Sequence, residues 1–149
     1  MLNKARFCSA ISISVGIVFV ISSLFKWIGI RTFAITVDLF CSFLGYEIIY
    51  GHGLLIAVMI CTAELMLGLA AFHVRTRRYV IWVYPIALGF FTYITYLNAT
   101  SLYGQIESCG CFGEVIHLTP MESFAKNVIL LVMSMVELLI SYNGRKKTT

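Results

Sequence analysis

The chain contains 149 residues, of which 60% are hydrophobic and 12% are charged, and its formal net charge is +4. Soluble domains are about 45–50% apolar and about 25% charged, so this composition excludes an ordinary soluble domain and indicates an integral membrane protein. The basic residues cluster at the ends of hydrophobic runs, which is where membrane proteins keep them. We therefore expect the chain to bind a lipid bilayer and no nucleic acid.

Four hydrophobic runs are long enough to cross a membrane, for which a helix needs about 20 apolar residues. They cover residues 7–25, 54–73, 79–103 and 120–143. The first run follows Lys4 and Arg6 as a signal peptide would, but no small-residue cleavage site comes after it, so we interpret it as a retained anchor. The sequence thus predicts an all-α membrane protein in which residues 1–149 form one four-transmembrane-helix bundle.

A shorter apolar segment, residues 32–46, lies between the first two runs and contains Asp38. Lys and Arg are enriched on the cytoplasmic side of membrane proteins. With four spans and a cytoplasmic amino terminus, 8 of the 11 basic residues lie in the cytoplasm, whereas five spans would leave 5 there. We therefore predict four spans in a bacterial inner membrane, both termini in the cytoplasm, and an extracytoplasmic half-helix that lies in the interface or dips into the membrane between spans 1 and 2. The eight residues are Lys4, Arg6, Arg75, Arg77, Arg78, Arg145, Lys146 and Lys147.

The stretch SCGCFGE, residues 108–114, contains two cysteines one residue apart, Cys109 and Cys111. With four spans this stretch lies in the extracytoplasmic loop between spans 3 and 4, where disulfides persist. A Cys-x-Cys bridge closes a very small ring, so it removes little chain entropy and has a tight geometry. Strained bridges are easily reduced, and such bridges are the catalytic or regulatory ones. The pattern therefore favours a redox function over a structural bridge or a metal site.

Two further residues could support the pair. Cys41, in the half-helix, is a candidate relay for Cys109 and Cys111. His117 is a candidate for lowering a thiol pKa, although a surface histidine is the simpler interpretation. A copper or zinc site would need ligands beyond the pair, and only Cys41 and His117 offer themselves, so we assign no metal.

Glu64 lies within the second run, 11 residues before Arg75 and so about 16 Å from the inner end of that run. Small residues share its helical face, which predicts a contact with another helix rather than with lipid. Glu64 is therefore a hydrogen-bonding group of the bundle, a proton relay or a polar wall of a ligand pocket. Lys26 is the candidate partner, but we expect it near the outer boundary, so that a direct pair requires a deeper first span. The face comprises Ala57, Cys61, Glu64, Gly68 and Ala71.

The fourth span has a clear amino-terminal signal, a capping box from Thr119 to Glu122 with Pro120 at the first helical position. Lys126 falls in the second turn, where it is either an interfacial anchor or a functional cation, and Asn127 follows it.

Glu137 is the second acidic residue within a span. It shares a face with polar and small residues in the inner half of the membrane, and we expect it to pair with Arg75–Arg78 or with Arg145 near the inner face.

The motif CGCFG, residues 109–113, followed by Lys126-Asn127 at the head of the last helix, resembles the MauE family of methylamine-utilisation membrane proteins, which belongs with the DoxX-like redox-associated membrane proteins. Lys26 after a serine-containing first span and Glu64-x-x-x-Gly68 in the second span fit the same pattern. The resemblance implies a protein that forms or exchanges disulfides in extracytoplasmic proteins, through Cys109 and Cys111, often beside a thioredoxin-like partner.

A second resemblance concerns architecture. Vitamin K epoxide reductase and its bacterial relatives also combine a four-helix membrane bundle, an outer half-helix and a cysteine pair near the start of span 4, and they reduce a quinone. Their pair is Cys-x-x-Cys, whereas this chain has Cys-Gly-Cys and the single Cys41 in its first outer loop. We therefore assign no cofactor and keep a quinone as a candidate.

Two classes of function are thus open. The favoured one is a thiol–disulfide oxidoreductase of undetermined electron flow. The rival is a non-enzymatic membrane subunit that anchors or assembles a partner, with its cysteines serving as a bridge or as a soft-metal site.

Overall fold

The protein is described by a computed structural model over residues 2–43, 51–100 and 119–146. Every regular element in these ranges is an α-helix, and four of the five helices are long and apolar enough to cross a membrane. The predicted all-α fold with four spans and a shorter helix between the first two is confirmed. The helices are α1 (Leu2–Ile28), α2 (Ile30–Phe43), α3 (Gly53–Ala70), α4 (Val74–Ala99) and α5 (Pro120–Lys146). The four candidate spans are Arg6–Ile28, Gly53–Ala70, Val74–Leu97 and Met121–Tyr142.

Helix α2 follows α1 with only Gly29 between them. The backbone N–H of Gly29 donates to the carbonyl of Phe25 at 3.2 Å, and the N–H of Phe33 donates to the carbonyl of Gly29 at 3.0 Å. The helical hydrogen-bond pattern therefore continues through the junction. Glycine has no side chain and so restricts the backbone there less than other residues would. Helix α2 is the predicted half-helix, and it packs along the first half of α3, against Ala57 and Cys61.

The predicted small-residue face packs against α1 at Gly68 and Ala71 and against α2 at Ala57 and Cys61. All five residues of that face are buried. A Cβ atom added to Gly68 would lie 2.7 Å from Cγ2 of Val20 and 2.9 Å from the carbonyl oxygen of Gly16. The two backbones approach so closely because neither Gly16 nor Gly68 carries a side chain, as is usual where membrane helices meet.

Helices α4 and α5 form an antiparallel pair that is closed by polar and aromatic contacts. The Asn127 amide donates to Oγ1 of Thr95 at 3.3 Å, and the rings of Tyr96 and Phe124 lie 5.8 Å apart. The capping box that starts α5 is confirmed, since Thr119 N–H donates to Oε2 of Glu122 at 2.8 Å and Glu122 N–H donates to Oγ1 of Thr119 at 3.3 Å.

Asp38 ties the end of α2 to the start of α3. Its Oδ1 accepts hydrogen bonds from the N–H groups of Gly51 at 3.2 Å and Gly53 at 2.9 Å. Gly51 has a φ of +89°, a left-handed conformation that favours glycine. The charged residue inside the apolar segment 32–46 is therefore a cap for the first turn of α3, where unpaired N–H groups attract a carboxylate.

The helix directions define two ends of the bundle. At one end α2 finishes, α3 begins, α4 finishes and α5 begins, and we call it the connection end because residues 101–118 join α4 to α5 there. The opposite end, where α4 begins with VRTRR and α5 finishes, is called the basic end.

Candidate functional site

The cysteine pair and His117 lie outside the described residues. Cys109, Cys111 and His117 belong to residues 101–118, so their roles stay predictions. The described chain stops at Thr100 and resumes at Thr119, and the helices on both sides of this connection are held together by the Asn127–Thr95 hydrogen bond.

A buried ion pair joins α1 to α3 beneath the connection end. Nζ of Lys26 lies 2.5 Å from Oε1 of Glu64, and their side chains are only 3% and 5% exposed. The pair therefore buries two opposite charges within the bundle. The direct pair, which the sequence analysis made conditional on a deeper first span, is therefore present.

Lys26 is enclosed because other helices continue beyond it. Its Nζ lies 5.0 Å from the centre of the Phe91 ring, and α4 runs on for eight residues from Phe91 to Ala99, about 12 Å at 1.5 Å per residue. Helix α2 extends in the same direction and places the Phe33 ring 5.3 Å from Nζ. The end of α1 is thus inside the bundle. We expected Lys26 near the outer boundary because the continuation of α1 into α2 was not taken into account.

The pair is incompletely satisfied by its surroundings. An ammonium group has three N–H donors, and Glu64 Oε1 accepts one of them. Oε2 of Glu64 is buried and has no hydrogen-bond partner in the described part of the chain. Desolvating two charges costs several kcal/mol, so a buried pair is weak evidence for stability by itself. A functional role for the pair stays a prediction.

Two cavities meet at Lys26. The smaller has a volume of about 20 Å³, room for one water molecule, and four polar residues besides Lys26 line it. The larger has a volume of about 160 Å³, and its walls are mainly apolar side chains of α2, α3 and α4. The polar residues of the smaller cavity are Ser22, Glu64, Lys126 and Asn127.

Four predicted supporting residues therefore meet around the smaller cavity: Lys26, Glu64, Lys126 and Asn127. Asn127 is 4% exposed and braces α5 against α4, so its position has a structural function as well. The sequence analysis did not identify Phe33 and Phe91, whose rings flank the ammonium, because single aromatic residues in apolar helices carry no distinguishing signal.

Cys41 lines the larger cavity as a half-buried free thiol. Burial raises the pKa of the Cys41 thiol, and the negative charge of Asp38 raises it further. A raised pKa means less thiolate at neutral pH and so a weaker nucleophile. The relay between Cys41 and the pair stays a prediction, and this environment does not favour it.

Glu137 occupies a second polar centre near the basic end, with α1 and α4. It is 0% exposed, and neither carboxylate oxygen has a hydrogen-bond partner within the described part of the chain. The expected ion pair with Arg75–Arg78 is wrong: Arg77 donates to the Ala71 carbonyl at 3.0 Å and to Oγ of Ser9, which holds the arginine at the helix ends. The side chain of Arg145, the other expected partner, is not among those that the structure describes.

No group of three or more His, Cys, Asp or Glu side chains comes together within residues 2–43, 51–100 and 119–146. The predicted soft-metal ligands other than Cys41 lie in the connection 101–118.

Comparison with known proteins identifies a family whose model matches most of the chain. The family model described as "Methylamine utilisation protein MauE" matches residues 4–140. Protein TlpB of Flavobacterium psychrophilum is 34% identical over 53 residues, which are 36% of this chain and 13% of TlpB. The chain therefore spans only a small part of the length of that relative. No solved structure matches the chain.

Proposed function

Because the chain belongs to the MauE family and is a multi-pass membrane protein, we propose that it is a membrane-embedded thiol–disulfide redox protein that acts through Cys109 and Cys111. The observation that carries the proposal is the close pair Cys109-Gly110-Cys111 in the connection between α4 and α5. Thioredoxin-like or other extracytoplasmic proteins are the proposed partners.

The proposed reaction is a pair of sulfur exchanges. A thiolate of the reduced protein attacks one sulfur of the partner's disulfide, a mixed disulfide forms, and the displaced sulfur leaves as a thiolate that takes up a proton. The second thiolate then attacks the mixed disulfide and releases the partner. One dithiol and one disulfide exchange two electrons and two protons in total, and the same steps run in either direction.

The distribution of charge supports an extracytoplasmic site. Arg75, Arg77 and Arg78 lie at the start of α4, at the end of the bundle opposite the connection 101–118. Since basic residues favour the cytoplasmic side, this distribution supports a topology in which the cysteine pair lies outside a bacterial inner membrane and both termini lie in the cytoplasm. A membrane-impermeant thiol reagent should therefore label Cys109 or Cys111 in reduced intact spheroplasts and should spare Cys8, whereas labelling only after lysis would contradict this topology.

The exchange itself is tested by trapping the mixed disulfide. One of the single variants Cys109→Ser and Cys111→Ser should accumulate a covalent adduct with an extracytoplasmic protein, because no second thiol remains to release it. The other should form none, since it lacks the attacking sulfur. Non-reducing gels followed by mass spectrometry of the adduct provide the measurement, with the double variant as the blank and Cys8→Ser as the matched control.

Absence of any adduct in both single variants, together with unchanged growth under disulfide stress, would contradict exchange at this pair. The chain would then be better explained as a non-enzymatic anchor or assembly subunit. Metal analysis of the purified protein separates a soft-metal site from a plain bridge in that case.

A further inference from the structure

The larger cavity has an apolar lining with one charged donor, which the proposed disulfide exchange does not require. It lies between α2, α3 and α4, and its walls are mainly aliphatic and aromatic side chains. Two threonines also line it, but Thr36 donates to the carbonyl of Thr32 at 3.1 Å and Thr95 donates to that of Phe91 at 2.9 Å. Their hydroxyl hydrogens are therefore used within their own helices, and Lys26 is the charged donor of the lining.

The volume of the cavity suits a single ring. An engineered apolar cavity of about 150 Å³ stays dry and binds benzene. The present cavity, of about 160 Å³, holds a group of that size, and the rings of Phe33 and Phe91 form part of its wall next to Lys26. Aromatic walls favour a flat, apolar guest.

The Lys26–Glu64 pair determines which polar group a bound molecule must carry. The ammonium has only donors, so it requires an acceptor oxygen on the ligand. Glu64 already balances the charge of Lys26 at 2.5 Å, so an anionic head would bring an uncompensated charge into the bundle at high cost. A neutral carbonyl oxygen avoids that cost and can accept a second N–H of Lys26.

The cavity also reaches the outer surface of the bundle. Phe90 lines it and is 57% exposed, and it lies within the candidate span Val74–Leu97. Exposed apolar side chains of a membrane span face lipid. A guest would therefore enter from the bilayer, which requires a lipophilic molecule.

From these four observations we propose that the cavity binds a neutral, lipophilic carbonyl compound, with the carbonyl oxygen accepting a hydrogen bond from Lys26. Isoprenoid quinones and the ester carbonyls of phospholipids share this chemistry, and the ring-sized volume suits the head of a quinone. The site does not depend on Cys109 and Cys111, so it stands or falls separately from the proposed exchange.

Cys41 provides a readout because its thiol lines the cavity. The full chain in nanodiscs is treated with a small, membrane-permeant maleimide, and the rate at which Cys41 is modified is followed by peptide mass spectrometry, with Cys8 as internal reference. A fully ring-substituted benzoquinone with a decyl tail should slow the modification of Cys41 and not that of Cys8. Decylbenzene, which has the same tail and no oxygen, should need about tenfold higher concentration, the value of one hydrogen bond to a charged group.

Two variants locate the effect. Ile60 lines the cavity, so Ile60→Phe should fill it and abolish protection, whereas Met59→Phe, on the exposed face of the same helix, should leave protection unchanged. The double variant Lys26→Met/Glu64→Leu removes both charges without leaving one unpaired, and it should bind the quinone and decylbenzene equally. Circular dichroism and thermal unfolding confirm that each variant is folded.

The source of the carbonyl is decided by native mass spectrometry of the protein with its bound lipids. A phospholipid that is retained by wild type, lost in Ile60→Phe and not displaced by the quinone assigns the site to the lipid ester. Displacement by the quinone assigns it to the quinone. Equal protection by the quinone and decylbenzene in wild type, or unchanged protection in Ile60→Phe, would overturn the proposal.

Discussion

The two polar centres of the bundle differ in what surrounds their carboxylates. Glu64 and Glu137 are both buried, both lie within candidate spans, and both face α1. Glu64 has a cation at 2.5 Å that lines two cavities, whereas Glu137 makes no ion pair with the arginines at the start of α4. Burial is therefore common to the two carboxylates, and among the described side chains the ion pair with Lys26 is what distinguishes Glu64.

Removing only one charge of the Lys26–Glu64 pair should have the largest effect. Lys26→Met leaves Glu64 buried without its cation, and we expect the free energy of unfolding to fall by about 3–5 kcal/mol. Titration with SDS, followed by circular dichroism, measures this loss. The double variant Lys26→Met/Glu64→Leu should recover most of it, and a double variant as unstable as the single one would show that the two residues are not coupled.

The two carboxylates should respond differently to the same isosteric change. Glu64→Gln leaves the Lys26 ammonium buried without a counter-charge, and we expect a loss of about 3 kcal/mol in unfolding free energy. Glu137→Gln removes no ion pair with Arg75–Arg78, and we expect a smaller loss than in Glu64→Gln. Equal losses in the two variants, measured in the same SDS titration, would remove the distinction between the centres.

The variant Glu64→Gln also tests whether Glu64 carries protons. If it does, Glu64→Gln should abolish redox activity while the helical content is retained. Full activity in the folded variant would eliminate the relay and leave Glu64 as a partner of Lys26 alone.

The close contact of α1 with α3 should also be necessary for the Lys26–Glu64 pair. Gly68 lies one turn from Glu64, and a methyl group there would lie 2.7 Å from Val20 and 2.9 Å from the Gly16 carbonyl, so Gly68→Ala should destabilise by about 1–3 kcal/mol. Gly89→Ala is the matched control, because a methyl group there meets no atom within 4 Å. It should be neutral or stabilise α4 by up to about 1 kcal/mol. Destabilisation by Gly89→Ala alone would contradict the packing described.

The smallest effect is expected at Cys41. Burial and the charge of Asp38 raise the pKa of this thiol, so its alkylation rate should still increase above the ordinary thiol pKa of about 8.5. Asp38→Asn keeps an oxygen for the N–H groups of Gly51 and Gly53 but removes the negative charge, which lowers the pKa of Cys41. We expect a several-fold faster alkylation at pH 8, measured by a pH series, and an unchanged rate would assign the shift to burial alone.

Sequence alone determined the elements whose causes are local or periodic. The lengths of the apolar runs identified four spans, the Thr119–Glu122 capping box identified the start of α5, and the spacing of small residues identified the face of α3 that packs on another helix. Each of these depends on residues within one helix, so a reading along the chain is sufficient.

Tertiary structure decided which partners Lys26, Glu64 and Asp38 have. The continuation of α1 through Gly29 into α2 sets Lys26 opposite Glu64, converts Asp38 into a cap for α3, and opens the cavity between α2, α3 and α4. Of the two partners expected for Glu137, Arg75–Arg78 make no ion pair with it, and Arg77 is held by the Ala71 carbonyl and Ser9. The length of an apolar run determines whether a helix can cross the membrane. Which charges meet depends on the register between helices, and side-chain packing fixes that register in three dimensions.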